Sequence, residues 1–256
     1  MSKIIFDDVG ERFYETGVQQ GVLYVRNGSE YSTGVAWSGL TSMSITPEGA
    51  EPTDLYADDI KYATLRSRET CGGTIEAYTY PNEWAACDGS DNCGIVGFSI
   101  GQQKRKQFGL SYRTEEGNDV DEADPDSITD TGNNVYGNYQ RHLLYGCTAS
   151  PSERSYETIN DSPDAMTFSW EYDTNPENTG DDNYAPTSEI TIDTRWFDTT
   201  NVTEMAILTI LEQLLHGTDG GDPVLPTPAQ IIEICSLTSP TYAAAYEIVT
   251  GVAPQE

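Results

Sequence analysis

Positively charged residues are scarce in this chain. Its 256 residues include 13 lysines and arginines against 42 aspartates and glutamates, which gives a formal net charge of −29. Binding to nucleic-acid phosphates requires lysines and arginines that displace condensed counterions, so the composition argues against a nucleic-acid-binding protein. The sequence predicts a protein that repels DNA.

The few cations are also unevenly placed. Residues 1–114 contain 15 acidic and 10 basic residues, whereas residues 115–256 contain 27 acidic and 3 basic residues. Self-repulsion of this size opposes assembly, so packing has to outweigh it if copies of the chain associate. An acid-rich surface is also typical of halophilic proteins, and this interpretation stays open.

The chain has no long apolar run. No segment approaches the roughly 20 apolar residues of a membrane span, and the start MSKIIFDDVGERF turns acidic too soon for a signal peptide. We therefore expect synthesis in the cytoplasm and no membrane partner.

An odd number of cysteines without tight spacing fits reduced thiols better than a disulfide scaffold. The cysteines are Cys71, Cys87, Cys93, Cys147 and Cys235.

Residue patterns of known catalytic sites are missing as well. The only histidines are His142, in a strand-like run, and His216, in the last turn of a predicted helix, where the helix dipole favours a cation. The chain has no G-x-S-x-G, H-E-x-x-H, Walker or dinucleotide-binding motif. We expect structural roles for both histidines, no catalytic, cofactor-binding or metal-binding residues, no cofactor, and hence no enzymatic activity.

Alternating polar and apolar residues recur along the chain. In AMTFSWEYDT the large residues Met166, Phe168, Trp170 and Tyr172 fall on one face, as a half-buried antiparallel strand requires. Turn-rich segments such as TPEGAEP, YPNEW and CDGSDNCG separate the predicted strands, and the spacing predicts a mainly β, antiparallel sandwich or barrel. Further strands are predicted at residues 60–65, 74–80, 107–113 and 188–197.

One segment, NVTEMAILTILEQLLHG, has the pattern of a long helix. Asn201 is a predicted N-cap with Glu204 three residues later, and a glycine ends the apolar run. Its polar stripe is narrow, so this flanking helix should pack against protein over most of its surface. A second helix is predicted to begin at Pro228 with Thr227 as its cap, and a third in YAAAYEIV.

A polar stretch with eight carboxylates lies between two strand-like runs, KQFGLSYR and YQRHLLYGC. The simplest interpretation is a β-hairpin with a long loop over residues 114–135. Loops of this length are usually functional or become ordered on assembly.

Two residue sets raise the question of a metal site. Five aspartates of the acidic loop make calcium binding an alternative, although the glycine and the terminal glutamate of an EF-hand are missing. Cys87 and Cys93 are spaced too widely for a typical zinc site, so buried or idle thiols are expected. The five aspartates are Asp119, Asp121, Asp124, Asp126 and Asp130.

The basic cluster KRK at residues 104–106 is unusual in so acidic a chain. It is too small for a nucleic-acid-binding surface. Within this electrostatic field it is suited to meet carboxylates on a neighbouring copy, and an ordinary solvated strand edge is an equally good interpretation.

Seven segments, spread over roughly residues 10–222, carry a family resemblance in their order along the chain. They are GERFYETGVQQGVLY, YSTGVAWSGLTSMS, GAEPTDLYADDIKY, GTIEAYTYPNEWAACDGS, GQQKRKQFGLSYRTEEGND, LLYGCTASPSERSYETINDSPDAMTFSWEYDTNP and the helix ending in LLHGTDG. Together they resemble the major tail proteins of long-tailed bacteriophages (siphophages), the subunits of the tail tube. No single short motif carries this resemblance.

The resemblance implies a β-sandwich-like tube fold with a flanking helix, and hexameric rings that stack into a hollow tube. It also implies that a long hairpin from each subunit joins an inner β-barrel. The partners would be further copies and other tail proteins, such as the tape measure, tail terminator and distal tail proteins. The location would be the virion, with carboxylates on the inner strands that let phage DNA pass without specific binding. For the acidic loop we expect an inter-ring contact, because its flanking strands resemble the tube hairpin, with a solvated fringe on the outer wall as the alternative.

We therefore expect a tail-tube β-sandwich domain over residues 1–222 and a C-terminal helical extension over residues 223–256. The alternative function is an acidic, calcium-dependent β-sandwich module that binds carbohydrate or a cell surface. Calorimetry with calcium and negative-stain microscopy separate the two. Rings or tubes favour the first, and a monomer that needs calcium for stability favours the second.

Overall fold

The computed structural model describes residues 12–49, 51–66, 69–91, 94–95, 97–118, 138–152, 158, 165–198 and 200–252. These residues form strands β1 (Phe13–Asn27), β2 (Glu30–Tyr31), β3 (Val35–Trp37), β4 (Leu40–Gly49), β5 (Thr53–Ala57), β6 (Ile60–Leu65), β7 (Glu69–Ala77), β8 (Phe108–Asn118), β9 (Tyr139–Ala149), β10 (Phe168–Thr174) and β11 (Glu189–Asp193). The helices are α1 (Trp84–Asp88), α2 (Val202–His216), α3 (Pro228–Cys235) and α4 (Tyr242–Thr250).

Nine of these strands form one antiparallel sheet. Its order is β2-β1-β8-β9-β10-β7-β4, with β3 beside β1 and β11 beside β9, while β5 and β6 pair only with each other among the described strands. The predicted mainly β, antiparallel fold with a flanking helix and a short helical C-terminal segment is confirmed. The acidic loop's predicted flanking strands are confirmed as the antiparallel pair β8 and β9, and residues 119–137 lie outside the described residues.

One face of the sheet surrounds a core built on three tryptophans. The rings of Trp37 and Trp84 lie 4.7 Å apart, and Trp170 lies 5.3 Å from Trp84. All three side chains are buried, and each large aromatic contributes roughly 1.5–3 kcal/mol by leaving water. The sheet curves far enough to bring β1 against β4. The contact is so close that a Cβ at Gly21 would overlap the side chain of Leu40.

The opposite face of the sheet is covered by α2, α3 and α4. Tyr24 and Tyr145 are buried in the same hydrophobic cluster as Leu214, Ile234 and Ala245. The Tyr24 hydroxyl donates a hydrogen bond to the carbonyl of Leu215, 2.6 Å away, and this bond fixes the end of α2 on the sheet. The helices of the predicted C-terminal extension therefore share a core with the β domain.

The predicted helix boundaries agree with the structure. Asn201 accepts hydrogen bonds from the backbone amides of Thr203 and Glu204 at the start of α2. Thr227 and Gln230 form a reciprocal capping box at the start of α3. Such caps satisfy amides that otherwise have no partner in the first turn of a helix.

Other local predictions were wrong. The pattern over 188–197 predicts one strand, but β11 ends at Asp193, where the carboxylate accepts a hydrogen bond from the Arg195 amide and starts a 3₁₀ turn. Trp196 is therefore 77% exposed. Met166, predicted to lie on the buried face of a strand, precedes β10 and is exposed. The segment TPEGAEP was predicted as a turn, yet β4 continues into it as far as Gly49, where its backbone still pairs with β7.

The turn-rich segments around residue 85 also contain an unpredicted helix. α1 is only five residues long and buries Trp84 and Cys87 in the tryptophan core. It ends at Gly89, whose φ of 80° is in the left-handed region that favours glycine.

A buried ion pair connects the sheet to α2. The Arg141 side chain is 1% exposed, and its Nε and Nη2 atoms lie 3.1 and 2.7 Å from the two carboxylate oxygens of Glu212. Nη2 also donates to the side chain of Gln20, and the Tyr139 hydroxyl donates to Glu212. Removing one partner of such a pair leaves a desolvated charge without compensation.

We expect Glu212→Ala to lower the free energy of unfolding by about 3 kcal/mol, because the Arg141 guanidinium remains buried. The double variant Arg141→Met with Glu212→Leu should recover most of that loss. Urea unfolding measures both effects, with Glu233→Ala on the exposed side of α3 as the control. A loss below about 1 kcal/mol for Glu212→Ala would show that the pair contributes little.

Candidate functional site

Strands β5 and β6 form a hairpin that continues the pairing of β4 with β7. Gly49 pairs with Glu69 and Thr53 pairs with Leu65, so both strands advance by the same four residues between the two paired regions. The register is therefore that of one long hairpin that begins in the sheet and extends beyond it. We call residues 53–65 the β-arm.

The tip of the β-arm is a two-residue turn made of Asp58 and Asp59. Their φ angles are 49° and 61°, as the tightest hairpin turns require at both central positions. Aspartate tolerates this conformation better than most residues that carry a Cβ. Both carboxylates are exposed at the end of the β-arm.

One face of the β-arm is apolar and open to solvent. The pairs Thr53–Leu65, Leu55–Ala63 and Ala57–Ile60 share this face, because directly paired residues project to the same side of a sheet. Ile60, Leu65 and Leu55 are 65%, 57% and 42% exposed. Two isolated strands are marginally stable in water, so this face is suited to contact another protein surface.

The other face of the β-arm is more polar. Asp54 lies 2.7 Å from the ammonium of Lys61 and accepts a hydrogen bond from Thr64. These two contacts, with the Lys61 contact the larger, lower the pKa of Asp54. Tyr56 and Tyr62 are 70% and 75% exposed. Within the described residues no third strand pairs with β5 or β6, so the outer backbone edges of the β-arm are also free for pairing.

A second exposed apolar surface is a groove of about 500 Å³ between α2 and α4. Met205, Ala206 and Ile210 line one side, and Pro240 and Tyr242 line the other. The groove is open along one side and has no charged residue in its lining.

The two histidines do not lie together. His142 stacks on Tyr112 with ring centroids 4.7 Å apart, and its Nε2 lies 3.1 Å from the Thr114 hydroxyl and 3.4 Å from Glu15. His216 is at the other face of the sheet, at the end of α2, with Nδ1 3.3 Å from Glu212.

The structure alters the expected charge of His216. Burial, and then the positive charge of Arg141, lower its pKa, so the environment disfavours the cation that the helix dipole alone would favour. The predicted structural role of both histidines stays a prediction.

The candidate metal residues are only partly covered. The five aspartates of the acidic loop and Cys93 lie outside the described residues, whereas Cys87 is buried, which raises its pKa to about 12. In the part of the chain that the structure describes, no three histidine, cysteine, aspartate or glutamate side chains are grouped as a metal site requires. The cysteines at 71, 87, 147 and 235 are free thiols.

Sequence patterns identified only half of the β-arm. The strand at Ile60–Leu65 was predicted, but its partner β5 was not. The available signal was the pair of aspartates between two short runs rich in tyrosine and aliphatic residues, which is typical of a tight hairpin turn. Burial gave no help, because β5 is exposed along its whole length.

Comparisons with known proteins identify no relative of this chain. No protein-family model matches the chain, and no curated protein matches it. Among the described helices, none is long and apolar enough to cross a membrane.

We expect the β-arm to contribute little to the stability of the rest of the chain. Replacing residues 50–68 by Asn-Gly closes the hairpin between Gly49 and Glu69 with a favoured turn. The unfolding midpoint should change by less than about 2 °C, since the removed strands bury almost none of their side chains. Calorimetry tests this, with Trp170→Ala in the core as a variant that must lower the midpoint strongly. A fall above about 5 °C in the shortened chain would mean that the β-arm packs on its own subunit.

Proposed function

We propose that the chain is a structural subunit that assembles with copies of itself into stacked rings and forms the tail tube of a long-tailed bacteriophage. The observation that carries the proposal is the β-arm, a projecting hairpin with an uncovered apolar face and free backbone edges. The sequence resemblance implies a long hairpin for tube subunits, and the sequence placed it at the strands that flank the acidic loop. These strands, β8 and β9, lie inside the sheet, and we assign the hairpin to the β-arm instead.

The β-arm supplies a driving force for association. Burying a large aliphatic side chain contributes roughly 1.5–3 kcal/mol, so Leu55, Ile60 and Leu65 together contribute several kcal/mol when a partner covers them. Free strand edges add backbone hydrogen bonds, which is how an extended segment joins the sheet of another chain. One β-arm on each copy makes such contacts repeat around a ring.

This driving force has to exceed the repulsion between strongly acidic copies. The net charge is −29 for each chain, but at physiological salt the repulsion between exposed charges is largely screened beyond about 8 Å. Apolar contacts are not screened. We therefore propose that assembly is more favourable at moderate salt than at low salt, since salt weakens only the repulsive contribution.

The same charge fits the task of a conduit. A wall rich in carboxylates repels the phosphates of a DNA duplex. It does not displace the counterions condensed on the DNA, so it gains no affinity from their release and DNA passes without adhering. In the proposed tube, other tail proteins close or regulate the ends, and the subunit itself carries out no reaction. The bore is proposed to present aspartates and glutamates of the inner strands.

Negative-stain microscopy and analytical ultracentrifugation of the purified chain test the proposal. We expect rings or tubes whose amount rises with protein concentration. The chain with residues 50–68 replaced by Asn-Gly should remain monomeric, as should the triple variant Leu55→Thr, Ile60→Thr and Leu65→Thr, which keeps residues that favour strands.

The matched control is Val252→Thr, which removes an exposed aliphatic side chain outside the β-arm. This variant should assemble like the wild-type chain. A wild-type chain that stays monomeric at every concentration and salt condition, and is missing from purified virus particles, would contradict the proposed function. Tubes formed equally well by the shortened chain would exclude the β-arm as their cause.

A further inference from the structure

Between α1 and β8 lies another surface suited to contact a protein, formed by residues 89–91, 94–95 and 97–107, and we call it the basic loop. Ile95, Phe98 and Ile100 are 63%, 55% and 41% exposed. Lys104 and Lys106 are exposed a few residues further along. Between described residues, neither lysine forms a salt bridge. Apolar and positively charged side chains therefore occur together on one short segment.

The basic loop is held in place by backbone hydrogen bonds. Asp91 and Ile100 exchange two of them, at 2.9 and 2.7 Å, and the amides of Gln103 and Lys106 donate to the carbonyls of Gly89 and Ala86. The Gln103 bond closes the loop on itself, the Lys106 bond attaches it to α1, and Trp84 is buried in the core. The surface is thus formed before a partner binds, which reduces the entropy lost on binding.

The β-arm has the complementary composition. Its apolar face carries Leu55, Ile60 and Leu65, and its tip carries the exposed aspartates Asp58 and Asp59. Among described residues, neither aspartate forms a salt bridge. An apolar strip that ends in two negative charges matches an apolar loop that ends in two positive charges, and such complementarity fixes both partner and register.

We propose that the β-arm of one copy docks on the basic loop of a neighbouring copy, with its tip aspartates against Lys104 and Lys106. This inference rests on the proposed self-assembly and assigns its contact surfaces. The two surfaces are different parts of the chain, so the contact is head-to-tail and leaves one β-arm and one basic loop free for further copies.

Most other described cations are buried or paired with carboxylates of their own chain, and the exposed Arg66 adjoins the β-arm itself. Arg113 and Arg141 are buried, and Arg26, Lys61 and Arg195 form salt bridges with carboxylates of their own chain. Among the described residues, exposed lysines close in sequence to exposed large apolar side chains, without a salt bridge of their own, occur only in the basic loop. Lys104 and Lys106 are therefore exposed cations that the tip of another copy's β-arm can pair with.

Reciprocal charge reversal tests the contact. We expect Asp58→Lys with Asp59→Lys, and separately Lys104→Glu with Lys106→Glu, each to raise the protein concentration needed for assembly by more than about tenfold, because like charges then face each other. Combining all four substitutions should return that concentration to within about threefold of the wild-type value. Sedimentation of assembled material measures all three variants, and circular dichroism checks that each one folds.

The design separates a local contact from net charge. Reversing the two aspartates makes the chain less negative and weakens general repulsion, so a loss of assembly has a local cause. Asp219→Lys with Asp222→Lys, at exposed positions outside the β-arm, changes the net charge equally and should not hinder assembly. The fourfold variant has the wild-type net charge. It also keeps lysines at the two turn positions, so a conformational penalty of lysine there is present both in this variant and in Asp58→Lys with Asp59→Lys.

The outcomes distinguish this inference from the proposed function. Wild-type tubes together with reversal variants that assemble normally would overturn the contact and leave the tube subunit standing. If reversing the charges on one surface blocks assembly and the fourfold variant does not recover it, the pairing of these two surfaces is likewise overturned. A wild-type chain that never assembles would overturn both.

Discussion

The rest of the structure depends on the antiparallel pairing of β8 with β9, which lies at the centre of the sheet and is buried on both faces. Alternation along β9 directs Leu144 into the tryptophan core and Leu143 and Tyr145 toward the helices, and a bulge at Gly146 returns Cys147 to the face of Leu144. Because successive side chains of a strand point to opposite faces, a shift of one residue would exchange the two sets. Two separate cores are thus defined by one strand register.

Two of the chain's few arginines lie in the interior of the protein, whereas most of the described carboxylates are exposed. In so acidic a chain, Arg113 and Arg141 are buried against the sheet, where Arg113 stacks over Tyr139 at 4.2 Å and Arg141 binds Glu212. Buried cations do not oppose the acidic field outside the chain as effectively as exposed ones would. The exposed lysines of the basic loop then acquire more importance for contacts than their number indicates, since opposite charge is rare elsewhere on the described surface.

Sequence patterns predicted the parts of the fold that obey one local rule. The alternation in β10 and the caps of α2 and α3 are such cases, because a period of two or a capping residue is sufficient to define them. The patterns failed where tertiary contacts decide the structure. α1 exists because Trp84 fills the tryptophan core, and β4 extends to Gly49 because β7 offers a partner strand. The β-arm was half predicted, since its exposed strand β5 has no buried face to produce a pattern.

The attachment of the basic loop to α1 has a consequence for the fidelity of assembly. The Lys106 amide donates to Ala86 of α1, and the side chain of Trp84 in the same helix is buried in the core. In the assembly proposed above, a copy with an incompletely packed interior would therefore present a displaced basic loop to its neighbour. Under that proposal, selection of correctly folded copies is built into the surface that binds the next copy.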